Sequence, residues 1–546
     1  EITCRDWSSD VCSSDLFLLS ALVCLSLSAQ SKVSGDSLAA DFHYLVKQLE
    51  ATHPDPYTGF GGKVFFHKQA FDLENELRSK PHTLQEFWDK SMAFLSFIQD
   101  GHTYLFSLAP KQRQEQSYLP VGFRCIPDGL IVQSLPAAHQ DLLGSLLTGI
   151  NGKSMDELLV RTASLFACEN LYNRYSVFCR NVARKQFMQQ LLPDLEDTVC
   201  LNLRTPDGKE MTLEQHFMDN EDLRKAEKAS LPSWEGCPEE QMAYRFIDKK
   251  KEVMMFKVNS IMARDNFEYM YKYMKGDLFR QMEFYYQNAL RKEMPADTLQ
   301  AIHALPSFSG TFATMLKEMK KNRSEYLIID LRGNSGGWTP IVLATLYQLY
   351  GDKYLQEDMD TEYYRIVSPL YMNKLEVTLE EFNKRYGTDY NFGDYTFSME
   401  EQEDVPLDTL RRQFIDDCMS SVKEELRAQK GAPVYTPKQV FVVTDERTFS
   451  AAFHYSFMLW KMGATVVGVP SGQAPNTFME QTLFKLPYTG IEGSISNSVQ
   501  IFLPGKDKRA KTFWPDVMLT YDEYKQTGFD KQAEILFLLN KIGQEK

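Results

Sequence analysis

The sequence is short of basic charge, of metal-binding cysteine patterns and of long apolar runs, and each shortage removes a class of function. Lys and Arg number 60 against 74 Asp and Glu, a formal net charge of −14 at pH 7. Nucleic acids and anionic membrane surfaces are bound through basic faces, so neither is expected as the main partner. Cysteine occurs 9 times in 546 residues, never at CxxC or another zinc-ligand spacing; no metal and no cofactor is expected. No apolar stretch after Ala29 approaches the roughly 20 residues that span a bilayer. The dinucleotide G-x-G-x-x-G turn and the P-loop lysine are both missing. There is no low-complexity tract and no strong repeat.

What is present is an ordinary globular composition, 43% hydrophobic and 25% charged, in a chain too long for a single core; two or three domains are expected. Residues 1–15 (EITCRDWSSDVCSSD) have neither the basic start of a leader nor the periodicity of a fold element, and read as a gene-model artefact. Residues 16–29 form an apolar run that ends in small residues and is too short to span a bilayer, the pattern of a signal-peptide h-region cleaved near Ala29. That predicts export to the periplasm, cell envelope or exterior of a bacterium, without membrane insertion of the mature chain. Cys125, Cys168, Cys179, Cys200, Cys237 and Cys418 remain. An oxidising compartment would permit one or two disulfides among them, but most read as buried small hydrophobes.

Residues 37–108 read as an N-terminal helical domain. Leu38, Phe42, Leu45, Val46 and Leu49 recur at helical spacing, and His53-Pro54 stops that helix. Residues 119–217 are a β-rich module: short strands flank Pro127-Asp128, another ends in the Asn151-Gly152 turn, a helix follows from Met155, and a hairpin turns at Pro206-Asp-Gly208. Residues 220–228 read as a charged linker. From 253 to the C-terminus strands and helices alternate, as in a layered α/β catalytic domain. The acidic, Tyr-rich stretch 352–433 interrupts it as an insertion or lid.

Two segments of that domain carry chemistry. Tyr326–Asp330 is a near-continuous apolar strand, expected where both faces are covered, and runs into Gly333-Asn-Ser-Gly-Gly337. Gln439–Thr444 is a second strand, followed by a polar connector and then Ser450 at the start of a helix. Backbone N–H groups at a helix start face a developing anion. Ser450 therefore reads as a nucleophile, with the N–H of Ala451 and that of Gly336 or Gly337 as an oxyanion hole. Taken alone, Ser450 would be an N-cap and the glycines a tight turn. Asp330 and Arg332 read as an ion pair bracing the loop.

A serine nucleophile needs a base. His102, on the turn Asp100-Gly-His-Thr103, is the leading candidate, with a pKa suited to proton transfer near neutrality. His454, one helical turn after Ser450, is the rival. Asp507, Glu492 and Asp516 are downstream carboxylates that could orient the base, and no spacing rule chooses among them.

Asp330-Leu-Arg-Gly-Asn-Ser-Gly-Gly337, Thr448-Phe-Ser-Ala-Ala452, Val467-Gly-Val-Pro-Ser-Gly472 and Trp514-Pro-Asp516 resemble the tail-specific, or C-terminal-processing, serine peptidases. His53-Pro54 and Asp100–Thr103 extend the resemblance into the N-terminal half. It implies a core like the crotonase and Clp-peptidase folds, a PDZ-like module at 119–217, and metal-free peptide-bond hydrolysis. Ala474 stands where the Ser–Lys branch has its lysine, so the resemblance points to the tricorn-core-like branch, which uses Ser and His. That branch places a Glu before its Pro-Asp segment; here the stretch Asp507–Trp514 has none, which leaves Asp507 and Glu492 as candidate orienting acids. The expected function is an exported Ser–His peptidase that forms an acyl-enzyme at Ser450 on peptide or unfolded-protein substrates. The alternatives are a peptidase-like binding protein without turnover, for peptides or apolar ligands, and a serine hydrolase of esters.

Overall fold

A computed structural model describes residues 32–108, 117–359, 361–399 and 405–544; residues 1–15, read above as an artefact, and 16–29, read as a leader, lie outside the described residues. The architecture is mixed α/β. Its centre is a five-stranded sheet in the order Met242–Phe246, Val253–Val258, Tyr326–Asp330, Gln439–Thr444, Thr465–Gly468. The first pair is antiparallel and the other three pairings are parallel. Parallel neighbours need crossover connections. The helix Phe308–Asn322 lies in the connection to Tyr326–Asp330, and Ala451–Lys461 makes the last crossover.

Both faces of this sheet are covered. Phe256, Phe312, Leu346, Tyr347 and Tyr455 pack on one side; Met255, Ile328, Val443, Ile535 and Leu538 pack on the other, the last two from the C-terminal helix Ala533–Gln544. This explains the unbroken burial of Tyr326–Asp330, because a strand covered on both faces has no solvent side to alternate toward.

The helix Gly35–Thr52 buries Leu38, Phe42, Leu45, Val46 and Leu49 and ends at His53, while Ser34 Oγ accepts the Ser37 N–H at its start. Helices Lys63–Ser79 and Leu84–Ser96 complete that bundle. Residues 122–230 contain a seven-stranded antiparallel sheet, in which the hairpin Thr198–Arg204 with Glu210–His216 is in regular register. The expected linker carries a helix, Asn220–Lys225, and a strand, Lys228–Ser230, that pairs with Gly129–Pro136.

The stretch 352–433 is more than a cap of helices. Its strand Glu362–Ile366 pairs with Glu492–Ile501, building a second five-stranded sheet with Tyr395–Met399, Thr477–Lys485 and Tyr104–Leu105. Through Tyr104–Leu105 that sheet reaches the turn bearing His102. No disulfide joins the six described cysteines. No helix among the described residues is long and apolar enough to cross a membrane.

Candidate active site

The strands Tyr326–Asp330 and Gln439–Thr444 are adjacent and parallel, with Ile329 opposite Val442 and Asp330 opposite Val443. Their following turns therefore leave the same end of the sheet, the end where open parallel sheets build sites. The turns are laced together. Gly333 N–H donates to the Asp445 carboxylate at 2.8 and 2.9 Å, Phe449 N–H to Asn334 O at 3.1 Å, and Thr448 Oγ1 to Leu331 O at 3.1 Å. Below them Arg332 clasps Asp330 through paired bonds of 2.8 Å. Burial opposes ionisation of Asp330, but the charges of Arg332 and Lys257 hold its carboxyl well below the usual range.

Ser450 is fully buried at the start of the helix Ala451–Lys461, with φ 51° and ψ −130°. A positive φ is rare for a residue with a side chain and marks a sharp, strained strand-to-helix turn. Its hydroxyl makes no capping bond and has no hydrogen-bond partner among the described residues. The N-cap role is therefore not taken up. Ser450 N–H is donated to the side-chain oxygen of Gln473.

Gly336 lies against this turn: a Cβ there would stand 2.7 Å from Ser450 Cβ and 3.0 Å from Ala451 N. Only glycine fits such an approach at φ 113°. Its own N–H is donated to Asn334 Oδ1 at 2.9 Å, so in this structure it is turned to the protein rather than toward a substrate. Gly337, at φ 140°, sits against Ile261, with bonds Ile261 N–H to Gly336 O and Trp338 N–H to Ile261 O on either side. Neither bond uses the Gly337 N–H.

The turn bearing His102 reaches the same place. A Cβ on Gly101 would meet the Phe449 ring at 2.6 Å, and the His102 and Phe449 rings are centred 5.1 Å apart. His102 is fully buried, and its carbonyl accepts Ser494 Oγ at 2.5 Å. With Ser450 Oγ lacking a partner, the Ser450–His102 hydrogen bond expected from the sequence is not made here.

Two carboxylates stand beside the imidazole. His102 Nδ1 is 3.8 Å from Asp100 Oδ1 and 3.9 Å from Glu169 Oε1. Asp100 accepts the His102 N–H, His53 Nε2 and Thr103 Oγ1. Burial would raise its carboxyl, but the hydrogen bond and charge of His53 and the charge of His102 outweigh that and hold it at about 2. Glu169 accepts the N–H groups of Gly101 at 3.2 Å and Ala474 at 2.8 Å. Burial pushes its carboxyl up to about 7, against the pull of His102 and helped by the charge of Asp100. One atom from each of Asp100, His102 and Glu169 would fit within reach of a divalent cation. Both carboxylates are, however, already held by hydrogen-bond donors.

Glu169 was not legible in the sequence. It lies in a Cys-Glu-Asn connector between the helices Met155–Leu165 and Leu171–Asn181, and its only local signal is the next residue, Asn170, which caps the second helix. The downstream acids considered as orienting groups have other partners. Asp507 is paired with Arg509 at 2.8 Å, and Glu492 lies 3.6 Å from Lys485; both sit at exposed cation partners. Asp516 accepts the Val466 N–H at a strand start. His454 is buried, with Nδ1 2.9 Å from Thr339 Oγ1. Burial, with the charge of His102 adding to it, lowers its pKa to about 3, so it stays neutral.

Residues 301–492 match peptidase family S41. The crystal structure of mature CPAF is similar over 93% of this chain and 98% of its own, at 15% identity and a TM-score of 0.55. Mature CPAF in complex with lactacystin is similar over 92% and 97%, at 15% identity and a TM-score of 0.53. At such identity the likeness is one of fold. No curated protein sequence matches the chain.

Proposed function

We propose that this chain, which carries a peptidase family S41 region over residues 301–492, is a serine peptidase of the Ser–His type. The family supports serine-type hydrolysis of peptide bonds. The observation that carries the assignment to residues is Ser450: a strained, positive-φ serine whose hydroxyl leaves the helix uncapped. A serine kept only as a cap would make that bond.

In this reading His102 takes the Ser450 proton as the hydroxyl attacks the scissile carbonyl, and later gives it to the leaving amine. Catalytic hydrogen bonds commonly form only once substrate is bound, and the Ser450–His102 bond is of that kind. Ala451 N–H, at the helix start, and Gly337 N–H receive the oxyanion; each such donor typically lowers the barrier by about 3 kcal/mol. Gly336 keeps the second loop tight against the nucleophile. Asp100, held ionised, stabilises the charged form of the imidazole, and Glu169 stands on its other flank. The domain division at 37–108, 119–217 and 253–546, a crotonase-like core, a PDZ-like module and export to the bacterial envelope all belong to the same reading.

The full burial of Ser450 favours one rival, a binding protein without turnover. A fluorophosphonate probe separates the two. The peptidase reading expects labelling of Ser450 and peptide hydrolysis, both lost in Ser450→Ala by roughly 10⁴-fold or more with the fold intact by circular dichroism. Hydrolysis that survives Ser450→Ala would reject the assignment. Hydrolysis of esters but not peptides would move it to the esterase reading.

A further inference from the structure

A cavity of about 310 Å³ opens between the helical bundle, the helices that follow Glu169, and the catalytic turns. Its lining includes Gly101, Ser335 and Phe449, the residues before His102, Gly336 and Ser450. Its far wall is apolar. Trp88, Phe166 and Phe187 form a continuous ring surface with centroids 6.1 Å apart at each step, and Met92 and Phe106 extend it. The indole N–H of Trp88 is donated to Phe106 O at 2.9 Å, so this side chain offers the cavity only its ring.

Some polar groups on the lining bond one another, while Arg180, Glu446 and Arg447 also line the cavity. Asp89 accepts Gln85 at 2.9 Å and Gln186 at 3.4 Å, and Arg184 donates to Asn181 at 3.2 Å. A cavity with an aromatic wall beside polar and charged side chains fits a compact apolar group against that wall.

We propose that this cavity is the specificity pocket of the peptidase and receives a large apolar or aromatic side chain of the residue beside the scissile bond. The inference rests on Ser450 being the nucleophile and adds the substrate class. Ala167 lines the cavity and is not one of the groups assigned to the chemistry, so Ala167→Phe is chosen to fill the pocket.

The test uses the full chain and fluorogenic peptides that differ only beside the cleaved bond: Phe, Leu, Ala, Asp or Lys. Phe and Leu should exceed Ala in kcat/KM by about 10- to 200-fold, the range that added methylenes in an apolar pocket supply. Ala167→Phe should remove most of that advantage while the rate of fluorophosphonate labelling at Ser450 stays the same. Trp88→Ala, which enlarges the wall, should also weaken selection for Phe and serves if the first variant does not fold. With Ser450 labelled, a flat panel, a preference for Asp or Lys, or an unchanged preference in a folded variant overturns the pocket alone. An unlabelled Ser450 in a folded protein overturns the nucleophile and the pocket together.

Discussion

Glu169 is the residue with the most to say about pH. Its carboxyl stands near 7 in the folded chain against an ordinary 4.5. Between those values the native state holds a proton that the unfolded chain has released, so stability must fall as pH rises through this window. The integrated effect is on the order of 3 kcal/mol. Urea midpoints measured from pH 4.5 to 7.5 should therefore decline in the native protein and decline less in Glu169→Gln. An equal slope in both would show that the carboxyl titrates normally. Asp100 works in the opposite sense: held at about 2, it stabilises above its ordinary value and loses that contribution as the pH falls. The sequence made Ser450 visible because a strand, a polar connector and an apolar helix point at it, and His102 because it lies in an Asp-Gly-His turn. It hid Glu169, which belongs to the site only through tertiary contacts with Gly101 and Ala474.

At the scale of elements, the helices of the N-terminal bundle were readable from their helical period and the two motif strands from their unbroken apolar runs. The strand Glu492–Ile501 was not. Ser494, Ser496, Asn497, Ser498 and Gln500 are all fully buried in it, so it shows neither alternation nor an apolar run. It braces the His102 turn from behind: Ser494 Oγ donates to His102 O, and the backbone N–H of Ser496 donates to Thr103 Oγ1 at 3.0 Å. Removing the first donor leaves a buried carbonyl poorly satisfied, at a cost of roughly 1–3 kcal/mol. Ser494→Ala should lower the denaturation midpoint accordingly and also reduce kcat, because the same bond fixes the turn of the base. A stability loss with unchanged kcat would mean the strand supports the fold and not the turn.

Across the whole molecule one acid ties three parts together. Glu534, on the C-terminal helix, binds Arg124 of the antiparallel sheet at 2.8 Å, Arg332 of the glycine turn at 2.7 Å and the Tyr524 hydroxyl at 2.7 Å. Glu534→Ala would leave two guanidinium groups buried without it. Breaking such a pair commonly costs about 3–5 kcal/mol, so a fall in thermal midpoint, with faster proteolysis between the sheets, is expected; a midpoint within a degree of the native value would reject that role. The family match, 301–492, includes Ser450 and the glycine turn but omits Glu534, His102 and Glu169 alike. The close fit of Gly336 on Ser450 has a mechanical corollary. With only a hydrogen separating the two turns, and Phe449 and Gly333 stitched across them, the Ser450 turn and the glycine turn form one stiff plate. The histidine turn is riveted to a different plate by Ser494 and Ser496. In the proposed peptidase, a polypeptide would reach Ser450 by parting of those plates along the seam at Gly101, where the Phe449 ring packs.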